Sequence, residues 1–165
     1  MILSLTGFMG CGKSSTGRAL AARLGARFVD LDEEIVARAG RPIPEIFRDG
    51  EDAFRTVELE TLQAVLDAAD AAQDDTVLAL GGGALTLPEA RELIFARTRC
   101  VWLRTRLETI RRRLGDVDAS RPLFADADAL YAHREPLYAQ APFAVDTDGK
   151  TPDAVAGEIV TFLLL

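Results

Sequence analysis

The feature that most constrains this chain is the run LSLTGFMGCGKSSTG, Leu3 to Gly17. An apolar stretch breaks into glycines, then into Lys13, Ser14 and Ser15, and continues into a segment with helical spacing. The residues Gly7-Phe-Met-Gly-Cys-Gly12-Lys13-Ser14 fit the pattern G-x-x-x-x-G-K-[ST], and they stand where that pattern must stand, between a strand and a helix. Glycines let the backbone turn its N–H groups toward phosphate oxygens, and the helix N-terminus adds partial positive charge. Gly10, Cys11, Gly12, Lys13, Ser14 and Ser15 are therefore the expected nucleotide-binding loop. Lys13 is expected to bridge the β- and γ-phosphates, and Ser14 to place its hydroxyl on Mg²⁺. The chain has only two lysines, Lys13 and Lys150, so a lysine inside a glycine loop is informative. The blander alternative is a tight strand-to-helix turn that happens to carry lysine and serine.

The rest of the chain alternates in the same way. Strand-like apolar runs stand at Ile2–Thr6, Arg27–Leu31, Thr76–Leu80, Arg99–Leu103 and Phe143–Asp146. Between them, helical spacing predicts helices over Gly12–Leu24, Glu33–Ala39, Asp52–Ala69, Pro88–Ala96, Leu107–Leu114, Ala127–Tyr138 and Pro152–Leu164. Alternation of this kind predicts an α/β fold, a parallel sheet covered by helices. In Asp52–Ala69, the residues Phe54, Val57, Leu62, Val65 and Leu66 read as a core-facing stripe. At 165 residues and 48% hydrophobic, the chain has material for one core, so 1–165 is expected to form a single domain. Segment 115–128 is polar, acidic and weakly periodic, with Arg121 and Pro122 at its centre, and reads as a mobile insert.

Composition narrows the partners. A net charge of −7, with both signs mixed along the chain, disfavours nucleic acid and anionic membrane, so any anion must be gripped locally. No apolar run approaches the roughly 18 residues of a membrane span, and a cytoplasmic protein is expected. Cys11 and Cys100 match no metal-ligand spacing and read as reduced and incidental. Trp102 reads as core, and the single histidine, His133, has no motif partner.

A phosphate loop identifies the donor and leaves the acceptor open. Ligands in open α/β sheets gather beyond the carboxyl ends of strands. The second strand run closes on Asp30-Leu31-Asp32, and residues at i and i+2 share a strand face. One carboxylate could hold a water of the Mg²⁺ shell while the other accepts a hydrogen bond from a substrate hydroxyl. Alternatively, either one caps the following helix. Gly81, Gly82 and Gly83 follow the third strand run, and without side chains their backbone can approach a small ligand. Arg55 and Arg134 each carry a planar fork suited to a carboxylate. Composition alone would leave both in solvent, because arginine is mostly exposed.

Taken together and in order, LTGFMGCGKSSTG, FVDLD, FRTVE, LGGG, SRPL and REPLY closely resemble the shikimate kinase family over essentially the whole chain. The resemblance implies a three-layer sandwich with a central five-stranded parallel sheet, a P-loop fold related to nucleoside monophosphate kinases. It implies ATP-dependent phosphorylation of the 3-hydroxyl of shikimate, with Mg²⁺, in aromatic amino-acid biosynthesis. Carried over by motif, Asp32 contacts the shikimate hydroxyls, and Arg55 and Arg134 clamp its carboxylate. Gly82, between Gly81 and Gly83, meets the ring, and Asp30 is the outer-shell magnesium acid. Lys13, Asp32 and Arg121 become the catalytic set, with Arg121 on a lid over about 115–128 and a substrate-binding helical segment over about 32–60. Arg113, Lys150 and Pro152 fall where the family packs the adenine base, and a monomer is expected. A gluconate kinase or another small-molecule kinase of the same fold is the alternative, but it need not keep both arginine motifs.

Overall fold

The computed structural model describes residues 1–114 and 126–163. Five strands form one sheet: β1 (Ile2–Thr6), β2 (Arg27–Asp30), β3 (Thr76–Ala79), β4 (Arg99–Arg104) and β5 (Phe143–Asp146), in the order β2-β3-β1-β4-β5. Every neighbouring pair is parallel, with Leu3 opposite Val77 on one side and opposite Arg99 on the other. Parallel strands need crossovers, and helices supply them. The helices are α1 (Lys13–Leu24), α2 (Leu31–Ala39), α3 (Ile43–Phe47), α4 (Glu51–Ala72), α5 (Pro88–Arg97), α6 (Leu107–Leu114), α7 (Ala127–Tyr138) and α8 (Pro152–Leu163).

Alternation along the strands separates two cores. Leu3, Leu5, Val77, Val101, Leu103 and Val145 pack with Leu20, Ala21, Val155, Ala156 and Ile159 of α1 and α8. Ile2, Val29, Leu78, Cys100 and Trp102 point the other way, toward Ile35, Phe54, Leu62, Leu66, Ile94 and Ile110. Helices thus cover both faces of a parallel sheet whose strands β1 and β3 are buried throughout, the three-layer α/β arrangement expected from the sequence.

Two local expectations change. The chain leaves β2 at Asp30 and enters α2 at Leu31, so Asp32 lies in the first helical turn and not on a strand face. Asp30 is the residue that caps, its Oδ1 accepting from the backbone N–H of Asp32 at 3.0 Å and of Glu33 at 3.3 Å. The second change is α3, absent from the periodicity reading: it is five residues long, with Pro42 as N-cap and Pro44 in its first turn. The insert expected at 115–128, with Arg121, lies outside the described residues except for 126–128, which form the N-cap and first turn of α7.

Candidate active site

The strand order brings the loops together. β1 lies between β3 and β4, so the loop after β1 and the glycines after β3 emerge side by side at the carboxyl edge. The pairing continues past the strand ends, with Leu80 N–H donating to Leu5 O at 3.0 Å. A cleft of about 630 Å³ opens there. Its wall contains every site residue expected from the sequence that lies among the described residues. These are Gly10 to Ser15, Asp30, Asp32, Arg55, Gly81 to Gly83, Arg113, Arg134, Lys150 and Pro152.

On the nucleotide side, Gly7 has φ +148°, and a Cβ there would stand 2.7 Å from the Leu103 carbonyl oxygen, so the turn admits only glycine. Lys13 Nζ reaches back across the loop and donates to Gly7 O at 2.7 Å and Phe8 O at 2.9 Å. Its ammonium is thereby held inside the curve of the loop. The two flanking helices start differently. α1 begins after Gly12 with no side-chain cap and no acid in its first turn. α2 is capped by Asp30 and carries Asp32, Glu33 and Glu34 in its first turn. The partial positive charge at the start of α1 therefore faces the cleft without a side-chain carboxylate capping it. Ser14 Oγ donates to Asp30 Oδ2 at 2.5 Å, so hydroxyl and carboxylate stand together beside the loop.

The far end of the nucleotide side is tied down by threonines and acids. Thr105 and Thr147 share a buried hydroxyl bond of 2.5 Å, and Asp148 accepts from Thr109 Oγ1 at 2.5 Å and from Arg106 N–H at 3.2 Å. These bonds fasten the loop carrying Lys150 and Pro152 to α6, whose Arg113 donates to Gly10 O at 3.3 Å. Lys150 itself pairs with Glu158 at 2.8 Å.

On the other side, composition misleads. Arg55 and Arg134 are only 7% and 3% exposed, buried rather than solvated. The stripe along α4 explains how. Its buried face runs through Leu66, Leu62 and Phe54, but in its N-terminal half Arg55 and Glu58 occupy that face, while Val57 and Val65 are half-buried. Arg55 Nη1 donates to Glu58 Oε1 at 2.8 Å, and Nη2 pairs with Glu51 at 3.3 Å. Burial raises the Glu58 carboxyl above its ordinary range, opposed by the Arg55 charge and assisted by that of Asp32. Burial likewise lowers Arg134, opposed by Tyr138 and assisted by the Arg55 charge.

The three glycines each stand close to a different set of neighbours. A Cβ on Gly81 would stand 2.9 Å from Asp32 Oδ1 and 3.0 Å from Glu58 Oε2. On Gly82 it would stand 3.3 Å from Met9 N, in the phosphate loop. On Gly83 it would stand 2.2 Å from Arg55 Nη2 and 2.8 Å from Arg134 Nη2. Two guanidinium forks thus converge on one bare backbone position, within the same cleft as the phosphate loop. The motif FRTVE alone gives Glu58 no role, although its three-residue spacing from Arg55 on a helix is a signal for the pair. Phe47 and Phe54, stacked at 4.4 Å, also line the cleft, and no motif pointed to Phe47. His133 is exposed, and Cys11, Cys100 and Trp102 are buried.

Comparison with known proteins fits this arrangement. A family model described as shikimate kinase matches residues 9–164. The chain is 45% identical over 161 residues to a shikimate kinase of Moorella thermoacetica, covering 94% of this chain and 90% of that protein. It resembles the solved structure of shikimate kinase from Acinetobacter baumannii in complex with shikimate, with a TM-score of 0.90 and 34% identity over 99% of this chain and 92% of that one. A gluconokinase from Sinorhizobium meliloti 1021 has a TM-score of 0.62 at 19% identity, over 99% and 90% of the two chains, a likeness of fold alone. Since the family match and the high identity both run nearly end to end through the residues of this cleft, the chain belongs to the shikimate kinase family.

Proposed function

We propose that the protein transfers the γ-phosphoryl group of ATP to the 3-hydroxyl of shikimate, giving shikimate 3-phosphate and ADP. The observation that carries the reading is the convergence of two buried guanidiniums, Arg55 and Arg134, on Gly83 in the cleft that also holds the phosphate loop. Arg55 is held by Glu58 and Glu51, whereas Arg134, 3% exposed, forms no ion pair among the described residues, and a buried fork of this kind suits a carboxylate on the acceptor. Transfer is direct: the hydroxyl oxygen forms a bond to phosphorus as the bond to the β,γ-bridging oxygen breaks. Lys13 and the loop N–H groups spread the charge of the moving group, and Asp32 orients the hydroxyl and takes its proton as the new bond to phosphorus forms, ADP leaving. Arg121, outside the described residues, is kept as a phosphate contact on the resemblance alone, as is the lid over about 115–128. Arg113, Lys150 and Pro152 are assigned to the adenine base.

A hydroxyl and a carboxylate side by side, Ser14 and Asp30, fit Mg²⁺, which takes few protein ligands and keeps several waters. Ser14 would bind directly and Asp30 through water, and the ion supplies neutralisation of phosphate charge. The proposal includes a single 1–165 domain, with an acceptor-binding segment over about 32–60, working as a cytoplasmic monomer without nucleic acid. Both cysteines are free and buried, and among the described residues no helix is long and apolar enough to cross a membrane.

The test is ADP release measured with shikimate, gluconate and nucleoside monophosphates as acceptors, for wild type and Arg55→Lys. Shikimate should drive turnover, and Arg55→Lys should raise its KM by roughly ten- to a hundredfold, since an ammonium cannot replace the fork. Turnover with gluconate but not shikimate would transfer the assignment to the alternative kinase.

A further inference from the structure

Helix α7 presents Tyr131, Arg134 and Tyr138 at spacings of three and four, which places them on one face. Both tyrosine hydroxyls donate to main-chain carbonyls on either side of the arginine. Tyr131 reaches Thr105 O at 3.1 Å, and its ring meets Phe8 of the phosphate loop edge-on at 5.2 Å. Tyr138, 1% exposed and 6.1 Å from the Trp102 ring, reaches Gly82 O at 2.5 Å. Arg134 stands one turn before Tyr138 on this face, with Nη1 3.4 Å from where a Cβ on Gly82 would lie and Nη2 2.8 Å from where one on Gly83 would. Gly82 in turn lies against Met9 N and Gly7 O of the phosphate loop.

A tyrosine buried only for packing would satisfy its hydroxyl at whatever carbonyl was nearest. This one joins two parts of the acceptor pocket that lie far apart in sequence, the helix that carries Arg134 and the glycine run after β3. We propose that Tyr138 is a positioning residue for acceptor recognition: by bridging α7 to the Gly82 carbonyl one turn beyond Arg134, its hydroxyl fixes the Arg134 fork over the glycine run at the spacing a carboxylate-bearing ring requires. The inference rests on the shikimate reading above. Without the hydroxyl, α7 loses the bond that holds it to the glycine run, and the pocket keeps its charge but not its aim.

The experiment uses Tyr138→Phe, which retains the ring against Trp102. The KM for shikimate should rise about five- to tenfold, the effect of losing one hydrogen bond, with kcat at saturating shikimate and the KM for ATP each within about twofold. The preference for shikimate over its methyl ester, measured by calorimetry, should fall by a similar factor. In the Arg134→Lys background, Tyr138→Phe should add less than about threefold, because a residue acting through Arg134 has little left to act on. An unchanged KM, undiminished ester discrimination, or full additivity overturns the proposal, as does a parallel loss in every kinetic parameter and in melting temperature. Wild type run alongside separates the two readings: absence of shikimate turnover there sinks the proposed function, whereas normal wild-type turnover with an unaffected variant sinks only the role of Tyr138. Should Tyr138→Phe not fold, the hydroxyl proton of labelled wild type is followed by NMR. A resonance that shifts with shikimate but not with ATP supports the bridge, and one indifferent to shikimate refutes it.

Discussion

Glu58 stands in a place where burial alone would favour a leucine. It is 2% exposed, its Oε1 accepts from Arg55, and its Oε2 has no hydrogen-bond partner among the described residues. A buried carboxylate beside a buried guanidinium is an expensive arrangement, retained when it orients something. Here it orients Arg55, which also pairs with Glu51. Burial raises the folded-state pKa of Glu58 above its unfolded value. Between those two values the folded protein holds a proton that the unfolded chain has lost. The contribution to stability is therefore full below the ordinary carboxylate pKa and is lost as pH rises through the folded one. Glu58→Gln cannot titrate. Denaturant unfolding between pH 4.5 and 8 should show a shallower decline in stability for the variant than for wild type, and parallel curves would mean that Glu58 is ionised throughout.

Single elements show why the site has such different rims. α1 leaves its N-terminus without a side-chain cap, whereas α2, which starts beside it, is capped and lined with acids in its first turn. An anion and a hydroxyl-bearing acceptor thus meet opposite helix starts. The glycine run after β3 is the joint between them, and its last member has no positive φ. Alanine at position 83 is consequently allowed by the backbone, and only its methyl group matters. That methyl would collide with both guanidiniums, and Arg55 has little freedom to retreat because Glu58 and Glu51 hold it. Gly83→Ala should weaken shikimate binding at least about tenfold, comparable to losing one charge-assisted bond, and leave ATP binding within about twofold. Titration calorimetry with each ligand reads both numbers, and an equal loss for both would mean that the whole cleft had shifted.

At the scale of the molecule, one sheet edge holds two half-sites. The loop after β1 is continuous with α1, while the proposed acceptor side is assembled from α2, α4, α7 and the loop after β3. Lys13 belongs to the first half, and its bonds to Gly7 O and Phe8 O do not involve the second. Lys13→Met should therefore abolish phosphoryl transfer while the shikimate dissociation constant stays within about threefold and the melting temperature changes little, since the substitution keeps side-chain bulk and removes a cation aimed at the phosphate. Turnover assay, calorimetry and thermal unfolding check the three parts. Near-normal turnover would remove Lys13 from the mechanism, and lost shikimate binding would show that the halves are not separable.

Local patterns were sufficient for much of this. Strand and helix runs are set by apolar periodicity and by glycine and proline breaks, which act over a few residues, so among the described residues the five strands and seven of the eight helices were legible with ends off by at most three residues. α3 was not, because five residues are too few to display a helical period. The phosphate loop was legible for the same local reason, since its glycines, Lys13 and Ser14 are consecutive. The surroundings of the other residues were decided by the tertiary structure. Nothing near Arg55 or Arg134 in sequence says that either is buried, because burial depends on what packs over a side chain. Asp30 and Asp32 looked equivalent until the chain turned into α2 between them, making the first a cap bonded to Ser14 and directing the second toward Gly81. The crowding at the three glycines, one against carboxylates, one against the phosphate loop and one against guanidiniums, arises only where distant segments meet at the sheet edge. Sequence determined the elements because their physics is short-ranged; the tertiary structure alone decided which charges are buried together, because desolvation is set by neighbours that lie far along the chain.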